Sequence, residues 1–258
     1  MTKAVFIKDV MTKPTTIAKS AKITEALDKM LAEAIDPLIA INNNSVVGTV
    51  SRKAIAQKLG SKQNSDLAPT SIHVASVIEE DFTSVYPDES INVLIPLLQR
   101  YKLVVVYDGD HKLIGQVSAI DLLKKYPLNG GIENAIEKVV TIEAEERVVH
   151  LRRRMLDDNI SRFVVSEHEK YAGIVTETDV AIAMRNFRKS VDDNHQDHRI
   201  RTLLVKDIMS APLVSAERTA RVSDVVAMML KKNISSVPVL DNGKLAGIVT
   251  RRSLVNAL

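Results

Sequence analysis

The sequence of 258 residues has no cysteine and no tryptophan, and it has only five tyrosines and four phenylalanines. The absence of cysteine excludes disulfide scaffolds, thiolate nucleophiles and cysteine-bound metals. The shortage of aromatic residues disfavours a stacking platform for single-stranded nucleic acid. No stretch approaches the roughly 18 consecutive apolar residues of a membrane span. These absences leave a globular protein without thiol chemistry and without a membrane partner as the expectation.

Motifs of common enzymes are absent as well. The sequence contains no P-loop, no GxGxxG fingerprint, no HExxH helix and no GxSxG nucleophile elbow. The polar stretch 185–203 carries several acids and histidines, but their spacing matches no established metal-ligand pattern. A solvated charged linker explains them, and an extension of the preceding helix is the alternative. These acids and histidines are Asp192, Asp193, His195, Asp197 and His198. We therefore expect a protein that is not an enzyme and has no metal site.

Charge and composition point the same way. Apolar residues make up 45% and charged residues 26%, and 35 basic against 32 acidic residues give a net charge of +3. A charge this small suits small anions held in local basic pockets better than a nucleic acid, although the sequence pI near 8.9 keeps a nucleic-acid binder open as an alternative. The N-terminal stretch lacks the pattern of a signal peptide, so a cytoplasmic location is expected.

The dominant feature of the sequence is a repeat that occurs four times. Each copy has a glycine, two residues of strand character, a hydroxyl residue and a helix-like run. The copies read GTVSRKAIA, GQVSAIDLL, GIVTETDVA and GIVTRRSLV, and they begin at Gly48, Gly115, Gly173 and Gly247. Their spacing is unequal, which argues against a stacked solenoid and favours four small domains with variable linkers.

Each glycine is preceded by further repeated structure. An apolar strand runs into a polar turn, as in LVVVYDGDHKLIG, and this pattern is typical of a β-hairpin. Earlier in each copy, apolar residues recur at helical spacing. In the first copy they are Ile23, Ala26, Leu27, Met30 and Leu31. The repeat therefore predicts an α+β unit in the order strand, helix, strand, strand, helix.

These units resemble the cystathionine-β-synthase (CBS) domain family. The resemblance rests on KDVMTKP from Lys8, KDIMSAP from Lys206, ISSVPVLDNGKLAGIVT from Ile234, and ISRFVV with GIVTETDVA from Ile160 to Ala181. It implies that tandem copies pair through their sheets into pseudo-two-fold modules. The expected copies are 1–60, 71–127, 128–187 and 201–258, with modules at 1–127 and 128–258 and the charged linker at 185–203. A single unit of roughly 50–60 residues has a marginal core, which gives pairing a physical reason.

The hydroxyl and the acid three residues later are the chemically informative pair. Ser118 with Asp121 and Thr176 with Asp179 lie where a strand becomes a helix, so an anion at the helix start and a ribose diol on the carboxylate would together select a nucleotide. The alternative is a capping box, which explains the hydroxyls without any ligand. The first and fourth copies have Ala54 and Ser253 in place of the acid, and their hydroxyls, Ser51 and Thr250, are expected to act as caps.

A cation accompanies the acid in the same two copies, because Lys102 follows Tyr101 and Arg162 follows Ser161. In nucleotide-binding family members this position often faces phosphate, so the resemblance assigns Lys102 to the Asp121 pocket and Arg162 to the Asp179 pocket. It also implies flanking residues from the paired copy and from the strand after the glycine. For Asp121 they are Thr15, Thr16, Ile35 and Gln116, and Asp36 is doubtful because it would repel phosphate. For Asp179 they are Ile174, Pro212, Leu213, Ile234 and Ser235.

The resemblance implies a regulatory protein that binds an adenosyl ligand: AMP, ADP, ATP or S-adenosylmethionine. Occupancy would act on an effector protein through the geometry of the modules. Stand-alone members of the family often self-associate, so a homodimer is expected. A nucleic-acid binder and a pure scaffold remain the alternatives.

Overall fold

The computed structural model describes residues 5–59, 71–125, 129–190 and 202–258, with side chains to residue 186 in the third range. In this part of the chain each copy forms a three-stranded sheet and two helices. The strands are β1 (Thr16–Ala18), β2 (Leu38–Asn42), β3 (Ser45–Val50), β4 (Ser84–Val85), β5 (Leu103–Tyr107), β6 (Leu113–Ser118), β7 (Thr141–Glu143), β8 (Arg162–Glu167), β9 (Lys170–Thr176), β10 (Ala216–Glu217), β11 (Ser236–Asp241) and β12 (Lys244–Thr250). The helices are α1 (Ile23–Ala32), α2 (Arg52–Leu59), α3 (Leu94–Arg100), α4 (Ala119–Lys125), α5 (Val148–Asp157), α6 (Glu177–Ser190), α7 (Val222–Lys231) and α8 (Arg251–Asn256).

The first helix of each copy forms where apolar residues recur every three or four positions. In α1 this spacing puts Ile23, Ala26, Leu27 and Met30 on one face, and all four are buried. The opposite face carries the charged residues and remains in solvent. The helical periodicity in the sequence therefore predicts both the helix and the face that it buries.

Each sheet combines a parallel pair with an antiparallel hairpin. In the first copy β1 runs parallel to β2, and β2 pairs antiparallel with β3. The other three sheets have the same order. The hairpin turns take positive φ angles, as at Asn43 (48°) and Asn44 (65°), and Asn and Gly adopt this conformation at low cost. The predicted α+β unit, strand-helix-strand-strand-helix, is confirmed.

Two copies form a module by exchanging the segments that precede their first helices. The segment of the first copy lies on the second copy, where Thr12 and Gln116 exchange backbone hydrogen bonds of 2.9 and 3.0 Å. The segment of the second copy lies on the first, where Thr49 and Glu79 exchange bonds of 2.9 and 2.8 Å. The third and fourth copies exchange segments in the same way, with Ile174 bonded to Ser210. This reciprocal pairing confirms the predicted two modules.

The repeated glycine is explained by this exchange. A Cβ atom on Gly173 would lie 2.5 Å from the carbonyl oxygen of Ser210, in the opening segment of the partner copy. A Cβ atom on Gly48 would lie 2.5 Å from the carbonyl oxygen of Glu79. Real Cβ atoms do not approach backbone oxygens so closely. At these positions, and at Gly247, the glycine therefore allows one backbone to lie directly against another. The contact is looser at Gly115, where the Cβ would lie 3.2 Å from the carbonyl oxygen of Thr12.

The two modules pack against each other through their helices. Helix α2 of the first copy lies against α6 of the third, and α4 of the second lies against α8 of the fourth. One large hydrophobic core is accordingly shared by the first and third copies, and another by the second and fourth. Polar contacts accompany this interface, including a 2.6 Å ion pair between Arg185 and Asp28.

Among the described residues, no helix is both long and apolar enough to cross a bilayer. No group of three or more acids and histidines in this part of the chain is placed to hold a metal ion. The acids and histidines weighed as metal ligands, from Asp192 to His198, lie outside the described residues.

Candidate ligand-binding site

The hydroxyl and acid pairs of the second and third copies are brought together as capping interactions. Asp121 accepts hydrogen bonds on Oδ2 from the backbone N–H (3.0 Å) and the hydroxyl (2.6 Å) of Ser118. Asp179 accepts the same two bonds on Oδ2 from Thr176, at 2.7 and 2.6 Å. This is the geometry in which an acid in the first helical turn reaches back to the residue at the helix start. It commits one oxygen of each carboxylate and leaves the other oxygen, Oδ1, for further partners.

The second oxygen has a different neighbour in each copy. Oδ1 of Asp179 accepts a 3.2 Å hydrogen bond from the hydroxyl of Ser210, which belongs to the opening segment of the fourth copy. Oδ1 of Asp121 lies 3.7 Å from Nζ of Lys124 one turn later in α4. Both Oδ1 atoms therefore keep acceptor capacity that a hydroxyl of a bound molecule could use.

Burial affects the charge of the carboxylate in the third copy. Desolvation raises the pKa of Asp179 above the ordinary value, and the bonds from Thr176 and Ser210 oppose this shift without cancelling it. Desolvation also raises the pKa of the neighbouring Glu177, although the charges of Lys102 and Lys53 act in the opposite direction. Burial disfavours the ionised form of such an acid, and a hydrogen-bond donor from a bound molecule would stabilise that form.

The hydroxyls of the first and fourth copies act as helix caps. The hydroxyl oxygen of Ser51 accepts a 3.1 Å bond from the backbone N–H of Ala54. Thr250 and Ser253 bond reciprocally, with each side-chain oxygen accepting from the backbone N–H of the other at 2.9 and 2.8 Å. These contacts match the expectation that the two copies without the acid use their hydroxyls for capping.

The residues expected beside Asp121 are already engaged with one another. Oε1 of Gln116 accepts a 2.9 Å bond from the backbone N–H of Thr15, and the hydroxyl of Thr15 donates to Glu33 at 3.0 Å. The carbonyl oxygen of Thr16 accepts a bond from Lys29, and Ile35 packs against the hydrophobic core. The structure thus brings Thr15 and Gln116 together and uses their polar groups to hold the opening segment.

The residues expected beside Asp179 differ in their surroundings. Ile174 holds the opening segment of the fourth copy through the backbone of Ser210. Pro212 in that segment is exposed, and Leu213 is half-buried. Ile234 packs against the core of the second and fourth copies, and the carbonyl of Ser235 accepts a bond from the N–H of Arg251.

Ser210 is a polar neighbour of Asp179 that sequence reasoning missed. The sequence does place a hydroxyl residue here in both openings, because Ser210 in KDIMSAP occupies the position of Thr12 in KDVMTKP.

The expected cations make their hydrogen bonds and ion pairs with other residues. Within the described residues, no hydrogen bond or ion pair joins Lys102 to Asp121 or Arg162 to Asp179. Nζ of Lys102 lies 3.4 Å from Asp36 of the first copy. The hydroxyl of Tyr101 donates to Asp81 at 3.0 Å.

Arg162 is almost fully desolvated, which lowers its pKa, while the charges of Glu177 and Glu137 raise it. Its Nε donates to Ser161, and its buried Nη1 has no hydrogen-bond partner. The pairing of copies explains the placement of Lys102, because Asp36 belongs to the first copy. Arg162 lies opposite Thr176 in the β8–β9 pair and is close to Glu177 of its own copy.

Lys102 and Tyr101 instead line a cavity of about 320 Å³ beside Ser51. From the sequence alone, only a capping role is expected for Ser51. Most of the lining comes from two segments of the second copy, the one before β4 and the one that joins α3 to β5, and Arg252 reaches the cavity from the other module. The lining residues are Pro37, Thr49, Ser51, Lys53, Glu79, Asp81, Phe82, Arg100, Tyr101, Lys102, Leu103 and Arg252. The cavity was missed because it depends on chain segments from three copies.

Comparison with known families gives the same four units. The model of the CBS domain matches residues 7–61, 74–127, 132–186 and 205–258, which together are most of the sequence. The chain belongs to the CBS domain family. CBS-domain proteins are generally regulatory, and the fold of this chain has four CBS copies in two tandem modules.

Two archaeal relatives illustrate the likeness. Protein MK0525 of Methanopyrus kandleri is 32% identical over 125 residues, which is 48% of this chain and 59% of that protein. Protein MJ1225 of Methanocaldococcus jannaschii is 23% identical over 267 residues, covering 96% of this chain and 94% of the relative. The crystal structure of MJ1225, described as a candidate archaeal homologue of g-AMPK, matches with a TM-score of 0.80 over 98% of this chain. At this identity the structural match establishes the fold.

Proposed function

We propose that this CBS protein is a regulatory sensor that binds an adenosyl ligand (AMP, ADP, ATP or S-adenosylmethionine) at pockets around Asp121 and Asp179. The observation that carries the proposal is the state of these two carboxylates. Each has one oxygen fixed by its own helix start and the other oriented with acceptor capacity left. A ribose diol supplies the donors that such an oxygen would accept.

The flanking residues support a pocket formed by two copies. The opening segment of the first copy is bonded to β6 just before Ser118, and that of the fourth copy is bonded to β9 just before Thr176. A ligand at either acid would therefore contact both copies of a module. The full-length likeness to MJ1225, described as a candidate archaeal homologue of g-AMPK, is consistent with nucleotide sensing.

The output of such a sensor would be a change in how the modules pack. A ligand shifts an equilibrium between two shapes only through different affinities for them. We propose that ligand occupancy alters the helix interface between modules and thereby the binding of an effector protein or of a second copy of the chain. Light scattering after size exclusion, with and without AMP, would report on self-association.

The experiment that tests the proposal is a thermal-shift screen followed by titration calorimetry. The ligands are AMP, ADP, ATP, S-adenosylmethionine and sulfate, and a dye reports unfolding because the chain has no tryptophan. A ligand at a hundred times its dissociation constant adds about 2.7 kcal/mol to stability. We expect adenosyl ligands to stabilise the chain and sulfate alone to have no comparable effect.

Substitution of the acids makes the test specific. Asp121→Ala and Asp179→Ala should each weaken binding at one pocket by about 1.5–3 kcal/mol, the range for a hydrogen bond to a charged group. Asp207→Ala is the matched control for Asp121→Ala, because Asp207 caps the backbone N–H of Leu204 in the same way, at 2.9 Å. Unchanged affinity in the doubly substituted chain would refute the assignment of the pockets to these acids. No stabilisation of the unsubstituted chain by any adenosyl ligand would favour the scaffold alternative.

A further inference from the structure

The residue that follows each hydroxyl differs among the copies in a complementary way. In the first and fourth copies it is an arginine, Arg52 and Arg251, and these are the copies that lack the acid. In the second and third copies it is Ala119 and Glu177, and these copies have the acid. No copy therefore has both an arginine directly after the hydroxyl and an aspartate three residues after it.

The packing of the modules pairs each acid-bearing copy with an arginine-bearing copy. Helix α4, which carries Asp121, lies against α8, which begins at Arg251. Helix α6, which carries Asp179, lies against α2, which begins at Arg52. Nη1 of Arg52 reaches across this interface and donates to the hydroxyl of Thr178 at 3.3 Å. Each acid thus has an arginine of the other module close to it.

The two arginines differ in how their donors are used. The guanidinium of Arg52 also donates to the carbonyl oxygens of Met30 (2.8 Å) and Ile35 (3.4 Å), so most of its binding capacity is taken. Nε is buried without a hydrogen-bond partner in both arginines, but within the described residues the guanidinium of Arg251 makes no other hydrogen bond either. A buried donor without an acceptor costs free energy, and a guanidinium has five N–H groups to satisfy.

Burial and nearby charges act on the guanidinium of Arg251. Desolvation disfavours its positive charge, Asp121 favours the charge, and Arg52 disfavours it further. Two arginines that act on each other at a desolvated junction are stabilised when an anion lies with them. The planar guanidinium binds phosphate oxygens particularly well.

We propose that Arg251, from the second module, binds the phosphate group of a nucleotide whose ribose is held by Asp121 in the first module. This inference rests on the proposed function and deepens it, since it names the ligand class and adds a residue in trans. The bound molecule then bridges the modules. Phosphate-bearing AMP is favoured over S-adenosylmethionine, because the sulfonium of the latter is positively charged and meets Arg251 and Arg52.

The test uses the full chain with Asp179→Ala, which leaves one acid-bearing pocket. Calorimetry measures the dissociation constants of adenosine, AMP and S-adenosylmethionine for this parent and for three variants made in it, Asp121→Ala, Arg251→Gln and Arg218→Gln. Arg218 is the matched control, because it loses the same charge in the same copy but is exposed and paired with Asp241.

We expect Arg251→Gln to weaken AMP binding about ten- to a hundredfold, the loss of a charge-assisted hydrogen bond, and to leave adenosine binding unchanged. Asp121→Ala should weaken both ligands, and Arg218→Gln neither. Unchanged adenosine binding doubles as the check that the variant is folded. Should Arg251→Gln fail to fold, Arg251→Lys is expected to keep the preference for AMP over S-adenosylmethionine at reduced AMP affinity.

The outcomes separate the two proposals. If Asp121→Ala leaves adenosine binding unchanged, or the parent binds no adenosine, the proposed function fails. If Asp121→Ala weakens adenosine but AMP binds equally well with Arg251→Gln (or with Arg251→Lys, where that is the variant used), the role of Arg251 is overturned while the proposed function stands.

Discussion

Replacement of Gly173 by alanine tests the contact that holds the second module together. The added Cβ would lie 2.5 Å from the carbonyl oxygen of Ser210 and 3.2 Å from the sulfur of Met209. The obstacle at Ser210 is backbone, which cannot rotate away. We expect the opening segment of the fourth copy to be displaced from β9.

The size of the effect follows from what the displacement breaks. Ile174 and Ser210 exchange two backbone hydrogen bonds of 3.0 and 2.8 Å. Each is worth about 1 kcal/mol, and inserting a methyl group into a packed contact costs about 1–3 kcal/mol. The unfolding free energy should fall by roughly 3–5 kcal/mol if both bonds are lost, and the Tm by about 6–20 °C for a chain of this size.

Calorimetric unfolding of the Gly173→Ala chain measures this loss, and hydrogen exchange at Ile174 and Ser210 locates it. Gly109→Ala is the matched control, because a Cβ there meets nothing within 4 Å. The bond from Ser210 to Asp179 should weaken as well, and with it adenosine binding at that pocket. A Gly173→Ala chain that is as stable as Gly109→Ala would refute the explanation of the repeated glycine.

Three further predictions concern single side chains. Phe163 is fully buried in the core shared by the first and third copies, so Phe163→Ala should cost about 3–5 kcal/mol in a denaturant titration, and Phe163→Leu less. Arg52→Ala removes the guanidinium bonds to the carbonyls of Met30 and Ile35, although Met30 keeps the bond from the N–H of Ile35, and it should cost about 1–3 kcal/mol, measured in the same way. Because burial raises the pKa of Asp179, its carboxylate becomes protonated above the ordinary range near 3.9, so adenosine binding in an Asp121→Ala chain should weaken as the pH falls through that raised pKa. Asp179→Asn should remove this pH dependence, and a profile unchanged by that substitution would contradict the assignment.

The local parts of the fold could be predicted because their causes are local. The hairpin turn at Asn242 and Gly243 follows from residues that accept positive φ, and the buried face of α1 follows from its spacing. The capping roles of Ser51 and Thr250 likewise depend only on residues three positions away.

The contacts across copies could not be read from one copy at a time. Lys102 was expected near Asp121 because they share a copy, but its Nζ lies near Asp36, since sheet pairing turns that edge toward the first copy. Arg251 and Asp121 are 130 positions apart and meet only because α8 lies on α4. The sequence shows that the copies have either the arginine or the acid. Which arginine lies near which acid depends on the helices that pack together.

The exchange of opening segments has a consequence for the covalent chain. If the backbone were cut between Leu59 and Ser71, each half of the first module would still hold the other through the segment that it lends. In polymer terms a module is a pair of complementary fragments, and the connecting chain raises their effective concentration without supplying the binding surface. We therefore expect that the two halves of the module, produced separately, would reassemble when they are mixed.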